Sequence, residues 1–146
     1  MKIAIASDHG GFALKNILKQ HLEEAGYEVS DCGTDSEESC DYPDFAEKAC
    51  RQVQHGEVSL AVLICGTGIG MSIAANKMKG IRAALCHDEF SARFARAHND
   101  ANVLALGARV VGPGLAGSIL DVFLTGQFEG GRHERRLRKI ASIEEA

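Results

Sequence analysis

Short apolar runs alternate with amphipathic ones along the whole chain. Ile3-Ala4-Ile5-Ala6 reads as a buried strand punctuated by Gly10-Gly11, after which Leu14, Ile17, Leu18 and Leu22 recur at helical spacing and stop at Gly26. Tyr27-Glu28-Val29 begins a second strand, followed by a polar loop through Tyr42-Pro43. Phe45, Ala46, Ala49, Cys50 and Val53 mark a helix that ends near Gly56. Leu60 to Cys65 is unbroken apolar, as expected of a central parallel strand covered on both faces. Gly66-Thr67-Gly68-Ile69-Gly70 follows, then a helix from about Met71 to Met78. Strands at Ile81–Cys86 and Val103–Leu106 flank a helix around Ser91–Ala97. Helices at Leu115–Phe123 and, strongly basic, at about His133–Ile140 complete the chain. This alternation predicts one α/β domain over residues 1–146: an open, mostly parallel five-stranded Rossmann-like sheet with helices on both faces. The basic helix is expected to pack on a partner or to close the site. Such sheets bind ligands beyond the carboxyl ends of their strands, where loops start at Asp8, Cys65, His87 and Gly107.

Composition narrows the class. Of 146 residues 45% are hydrophobic and 25% charged, close to the globular average, which excludes disorder and collagen-like repeats. A net charge of −4 argues against nucleic acid as the main partner, and no apolar run approaches a membrane span. Five cysteines without a C-x-x-C pair, and no histidines at zinc-finger spacing, predict neither a disulfide scaffold nor a metal site. A reducing cytoplasm is the expected location. Cys50 and Cys86 sit in apolar patterns and read as small buried residues.

Four stretches carry candidate chemistry. In Cys65-Gly66-Thr67-Gly68-Ile69-Gly70-Met71-Ser72, alternate glycines let backbone N–H groups converge on an anion at a helix N-terminus. A strand-end cysteine beside that field is expected to have thiolate character. The spacing fits neither the dinucleotide fingerprint, nor the Walker loop, nor the nucleophile elbow, and no arginine closes the turn, so a small anionic intermediate suits it better than a nucleotide. Asp8-His9-Gly10-Gly11 brings a carboxylate and an imidazole to the same edge, although Asp8 is also a natural turn or cap residue. His98-Asn99-Asp100 follows a helix, where His98 is either a dipole partner or a proton shuttle between hydroxyl oxygens. Arg132 and Arg136 are i,i+4 neighbours suited to a phosphate, with Arg135, Arg138 and Lys139 expected on other faces and Arg109 as a third arginine. A solvated basic face is the plain alternative.

Together these residues carry a resemblance. Ala6 through Gly11, Asp41-Tyr42-Pro43, Ile64 through Gly70, Ser72 through Lys77, Gly80 through Ala83, His98 through Leu104, Gly107 through Gly112 and Phe128 through His133 occur in order from end to end. In these segments the chain resembles the ribose-5-phosphate isomerase B family, which includes the galactose-6-phosphate isomerase subunits. The resemblance implies a cofactor-free, metal-free aldose–ketose isomerase acting through an enediolate. It implies Cys65 as the base, with Gly66, Thr67, Gly68, Ile69 and Gly70 holding the enediolate oxygens. His98 would open the sugar ring with Asp8 opposite and Asn99 assisting; His9, Arg109, Arg132 and Arg136 would bind phosphate, and Tyr42 would line the pocket. One branch of the family replaces the cysteine by a glutamate four residues on; Ile69 stands there, so the chain reads as the cysteine branch. The implied assembly is a homodimer, or a tetramer built from it, with sites shared between subunits. Ribose 5-phosphate is the leading substrate. Allose 6-phosphate, galactose 6-phosphate, a non-catalytic sugar-phosphate-binding module and a thiol hydrolase are the alternatives.

Overall fold

Strands β1 (Lys2–Ser7), β2 (Glu28–Asp31), β3 (Leu60–Cys65), β4 (Ala83–Leu85) and β5 (Val103–Gly107) form one sheet in the order β2-β1-β3-β5-β4. The computed structural model describes all of residues 1–146. Every neighbouring pair of strands is parallel, so the sheet expected to be mostly parallel is wholly so. Six helices cover it: α1 (Phe12–Glu24), α2 (Tyr42–Gln54), α3 (Ile69–Ala75), α4 (Glu89–Ala97), α5 (Pro113–Thr125) and α6 (Arg132–Glu145). From β1 the chain crosses outward to β2 and then returns to the other side of β1 for β3. Connections therefore diverge above the carboxyl ends of β1 and β3, which is where such a sheet opens a crevice.

The two faces differ in side-chain size, and the difference is written as alternation along the strands. Ile3, Ile5, Leu60, Val62, Ile64, Leu104 and Leu106 pack with α1, α4 and α5 in a 20-residue cluster. Ala4, Ala6, Ala61, Leu63, Cys65, Val103 and Ala105 face α2 and α3 in a 15-residue cluster that includes Ala46, Ala49, Cys50 and Ala75. Small residues on both sides let α2 and α3 lie close to the sheet. Each fully buried Leu or Ile on the other face contributes about 1.5–3 kcal/mol.

Several boundaries differ from those expected; β4 is only Ala83–Leu85 rather than Ile81–Cys86, and α5 is longer, Pro113–Thr125. Helix α2 starts at Tyr42 rather than Phe45, because Pro43 fits the first turn, where no amide partner is needed. Helix α3 begins inside the glycine motif, two residues before Met71, and ends at Ala75 rather than Met78. The Thr67 hydroxyl accepts the Ile69 N–H at 3.2 Å, and Gly68 takes the left-handed φ of 77° that starts the turn. Helix α6 continues five residues past Ile140, where the Glu144 carboxylate accepts the Gly80 N–H at 3.1 Å and Glu145 pairs with Lys79.

One buried ion pair ties α1 to β2. Lys15, 1% exposed, donates to both carboxylate oxygens of Asp31 at 2.8 and 2.9 Å, and Lys19 adds a contact at 3.2 Å. Burial alone would raise the Asp31 pKa; hydrogen bonds from Lys15 and the Gly33 N–H, with the Lys15 charge, outweigh it and hold the carboxyl below its ordinary value. A lowered folded-state pKa contributes stability above the unfolded carboxylate pKa and loses it as pH falls through the folded one. Lys15→Met should therefore cost about 3 kcal/mol near neutral pH, as expected for breaking a buried pair from one side. The gap to wild type should close below the ordinary carboxylate range. Urea unfolding across pH 2 to 7 measures both, and a gap that does not depend on pH would refute the charge argument.

Candidate active site

The carboxyl ends of β1, β3 and β5 are pressed together by glycines. A Cβ on Gly11 would fall 2.6 Å from the Ile64 carbonyl oxygen, and one on Gly107 would fall 2.6 Å from the Thr67 carbonyl oxygen. The loop after β5 is fastened to the glycine loop by hydrogen bonds from Ala108 N–H to Cys65 O and from Arg109 N–H to Gly66 O, both 2.9 Å. A Cβ on Gly66 would lie 3.4 Å from the Arg109 guanidinium, and one on Gly70 would overlap the Tyr42 ring at 2.6 Å. Asp8, His9, Tyr42, Cys65 through Gly70 and Arg109 thus share one cluster. Of the loops expected there, only the one at His87 contributes none of the predicted site residues.

Cys65 ends β3 and is 5% exposed, and its sulfur accepts the Gly68 N–H at 3.1 Å. The Gly66 and Thr67 N–H groups donate to nothing in the chain, which leaves two amides free beside that sulfur. Asp8 does cap a turn, since its Oδ1 accepts the Gly10 and Gly11 N–H groups at 2.9 and 3.2 Å, while Oδ2 makes no hydrogen bond. The cap reading and a further role therefore coexist in one side chain. His9 is held through Nδ1, which accepts the Cys40 N–H at 3.2 Å. This puts the proton on Nε2 and turns the imidazole into a donor for an anion. Cys40 went unnoticed in the sequence because it sits in a polar loop 31 residues from His9.

His98, Asn99, Arg132 and Arg136 are elsewhere. Helix α4 runs back from the carboxyl edge, so His98 at its C-terminal end lies beside the amino ends of β4 and β5, about 13 Å of helix away. There the Arg82 guanidinium donates to the Asn99 and Asp100 carbonyl oxygens. Helix α6 begins against this point, with the His133 ring stacked on His98 at 4.0 Å, and ends at Gly80 before β4. It does not cover the glycine loop of its own chain. At about 100° per residue, Arg135 and Lys139 flank Arg132 on one side of α6 rather than occupying other faces; Arg138, paired with Glu134 at 3.5 Å, points away. No enclosed cavity lies over Cys65. The largest groove, about 670 Å³, runs between α4 and α5 and reaches Glu129.

His98, Glu129 and His133 bring three donor atoms within 4.8 Å of one another. The two rings are nearly parallel at 12°, so their in-plane lone pairs do not converge on one ion, and the group does not fit a metal.

Comparison with known proteins identifies the family. Residues 3–140 match the ribose/galactose isomerase family, and the chain belongs to that family. Ribose-5-phosphate isomerase B of Escherichia coli (strain K12) is 53% identical over 144 residues, covering 99% of this chain and 97% of that protein. The solved ribose-5-phosphate isomerase B of Clostridium thermocellum is 54% identical with a TM-score of 0.99, covering 99% and 98% of the two chains. That of Thermotoga maritima is 55% identical with a TM-score of 0.95, covering 97% of each.

Burial separates the thiols. It raises the Cys50 pKa to about 12 and that of Cys86 to about 11, and it raises Cys32 as well. These three should stay protonated and inert at pH 8. Iodoacetamide should label Cys65 first, with half-exposed Cys40 the only competitor. Peptide mass spectrometry reads the order; early labelling of Cys50 or Cys86 would contradict it.

Proposed function

We propose that this chain, like the ribose-5-phosphate isomerases B it resembles, acts on ribose 5-phosphate, interconverting D-ribose 5-phosphate and D-ribulose 5-phosphate in the non-oxidative branch of pentose phosphate metabolism. The observation that carries the reading is the Cys65 sulfur beside the free amides of Gly66 and Thr67, in a chain of this family. Cys65 takes the proton from C2 of the open aldose. The electron pair moves into an enediolate across C1 and C2, the hydroxyl proton passes from O2 to O1, and the proton held by the Cys65 thiol returns at C1 as the C2 carbonyl forms. The loop amides and the Thr67 hydroxyl stabilise the enediolate oxygens, each such donor being worth about 3 kcal/mol in the transition state. The Nε2–H of His9 and the Arg109 guanidinium suit the phosphate, whose binding positions the sugar carbon over the sulfur. Six-carbon sugar phosphates are the less favoured alternative.

The separation of the two clusters supports a shared site. A five-carbon phosphate touching Cys65 does not reach His98, Asn99, Arg132 and Arg136 of the same chain. A second copy, related by a two-fold axis, supplies them reciprocally. Ile69 and Ile73, 50% and 57% exposed one turn apart on α3, offer an apolar surface for that copy next to the glycine loop. In this reading the partner's Arg132 and Arg136 complete the phosphate grip, its His98 opens the furanose ring with Asp8 opposite and Asn99 assisting, and Tyr42 forms a wall. Helix α6 then packs on a partner. The absence of any helix long and apolar enough to cross a membrane is compatible with a cytoplasmic enzyme.

Incubation with ribose 5-phosphate in D2O should yield ribulose 5-phosphate carrying solvent label at C1. Cys65→Ala should lose at least a hundredfold in turnover, since a general base is worth roughly 10²–10⁴. Retention of more than about a tenth would remove Cys65 as the base.

Mixing inactive Cys65→Ala with inactive His98→Asn protein tests the sharing. After random exchange about half the dimers are hybrids with one intact site each, so about a quarter of wild-type activity should return. No recovery after verified exchange would place both residues in one chain's site.

A further inference from the structure

His98 does not stand alone at the end of α4. It continues a row of aromatic rings in which Phe90 and Phe94 are 4.7 Å apart and tilted, Phe94 and His98 4.7 Å apart and tilted, and His98 and His133 stacked at 4.0 Å. Stacked His133 on one side and tilted Phe94 on the other set the plane of the His98 ring and leave its nitrogens at the edge. Glu129 meets that edge: its Oε1 lies 3.6 Å from Nε2 of His98 and 3.8 Å from Nε2 of His133. Its main chain is anchored at the same place, because the Glu129 N–H donates to the Ala97 carbonyl at 2.9 Å. The loop carrying Glu129 is therefore fastened to the end of α4, which keeps its half-exposed carboxylate within ion-pair reach of the imidazole.

We propose that Glu129 is a positioning residue for His98, holding Nε2 as the protonated nitrogen and leaving Nδ1 as the base that opens the sugar ring. This rests on the ring-opening part given to His98 above. Nδ1 takes the proton from the C1 hydroxyl as the C1–O4 bond breaks. The bonding pair goes to O4, and the proton is delivered there. Between these events His98 is an imidazolium, and the Glu129 carboxylate offsets its charge. The 3.6 Å separation is that of an ion pair rather than a hydrogen bond, so the effect is largest once His98 is charged. His133 does not compete for that proton. Burial first, then the neighbouring His98 and Arg132, hold its pKa below the ordinary histidine value, so it serves as a neutral plate under the ring.

Two activities of one enzyme separate this proposal from the isomerase reading beneath it. In ribulose 5-phosphate the C5 oxygen is esterified, so the ketose is acyclic and exchanges its C1 proton with D2O without ring opening. Ribose 5-phosphate must be opened first. Glu129→Gln, which keeps an acceptor but removes the charge, should lower kcat on ribose 5-phosphate at least tenfold. KM should stay within twofold, and C1 exchange of ribulose 5-phosphate within twofold of wild type. Glu129→Ala should lose more on ribose 5-phosphate, and Glu129→Asp should regain part of it. 15N spectra of histidine-labelled protein should show His98 as the Nε2–H tautomer in wild type and as a mixture in Glu129→Ala. Equal losses in both activities, loss in neither, or an Nδ1–H tautomer in wild type would each overturn the proposal. A wild-type protein with neither activity would overturn the isomerase reading and this proposal with it.

Discussion

The site depends on how closely the backbone of the 65–70 loop approaches the ends of β1 and β5. That approach is possible because no Cβ stands in the way at Gly11, Gly68 or Gly107; a methyl at Gly68 would lie 2.8 Å from the Leu106 carbonyl carbon. The consequences follow in sequence. The loop lies flat, Gly68 N–H reaches the Cys65 sulfur, α3 starts at once, and the Gly66 and Thr67 amides are left without partners. Larger residues at these points would push the strand ends apart and scatter the donors. The alanine-rich face beneath, Ala4, Ala6, Ala61 and Ala105, extends the same economy of volume to α2, whose first residue Tyr42 comes to rest over Gly70.

Most of the fold was legible because its signals are local. Unbroken or alternating apolar runs identify strands, 3.6-residue spacing identifies helices, and their alternation permits little besides a parallel sheet. Ends were harder to place, since they depend on particular caps: Pro43 at the start of α2, the Thr67 hydroxyl at α3, and Glu144 on Gly80 at the end of α6. The Lys15–Asp31 pair left no signal at all, because a lysine in an amphipathic helix looks like a surface residue until the fold buries it. At the site, the Cys65 loop and Asp8 could be located as strand-end loops. The assignment of His98, Arg132 and Arg136 to the other edge needed the direction of α4 and the path of α6. Cys40 and Glu129 act through contacts that sequence spacing does not encode.

The two clusters are electrostatically unlike, and the reaction asks for that difference. At Cys65 the sulfur accepts the Gly68 N–H and the neighbouring Gly66 and Thr67 amides are unpaired, donors that favour negative charge on sulfur or on an enediolate oxygen. Around His98 stand a second imidazole, a carboxylate and the start of an arginine-bearing helix, a setting that accommodates a proton in transit and a phosphate dianion. Moving a proton between carbons and moving one between oxygens make opposite demands: the first builds negative charge on the sugar, the second a transient positive charge on the catalyst. Under the proposed roles, housing them at opposite edges of one sheet lets each environment be built without compromising the other. In the shared-site reading, two-fold symmetry then brings an edge of one chain to the opposite edge of its copy, so that neither cluster meets substrate except as part of a pair.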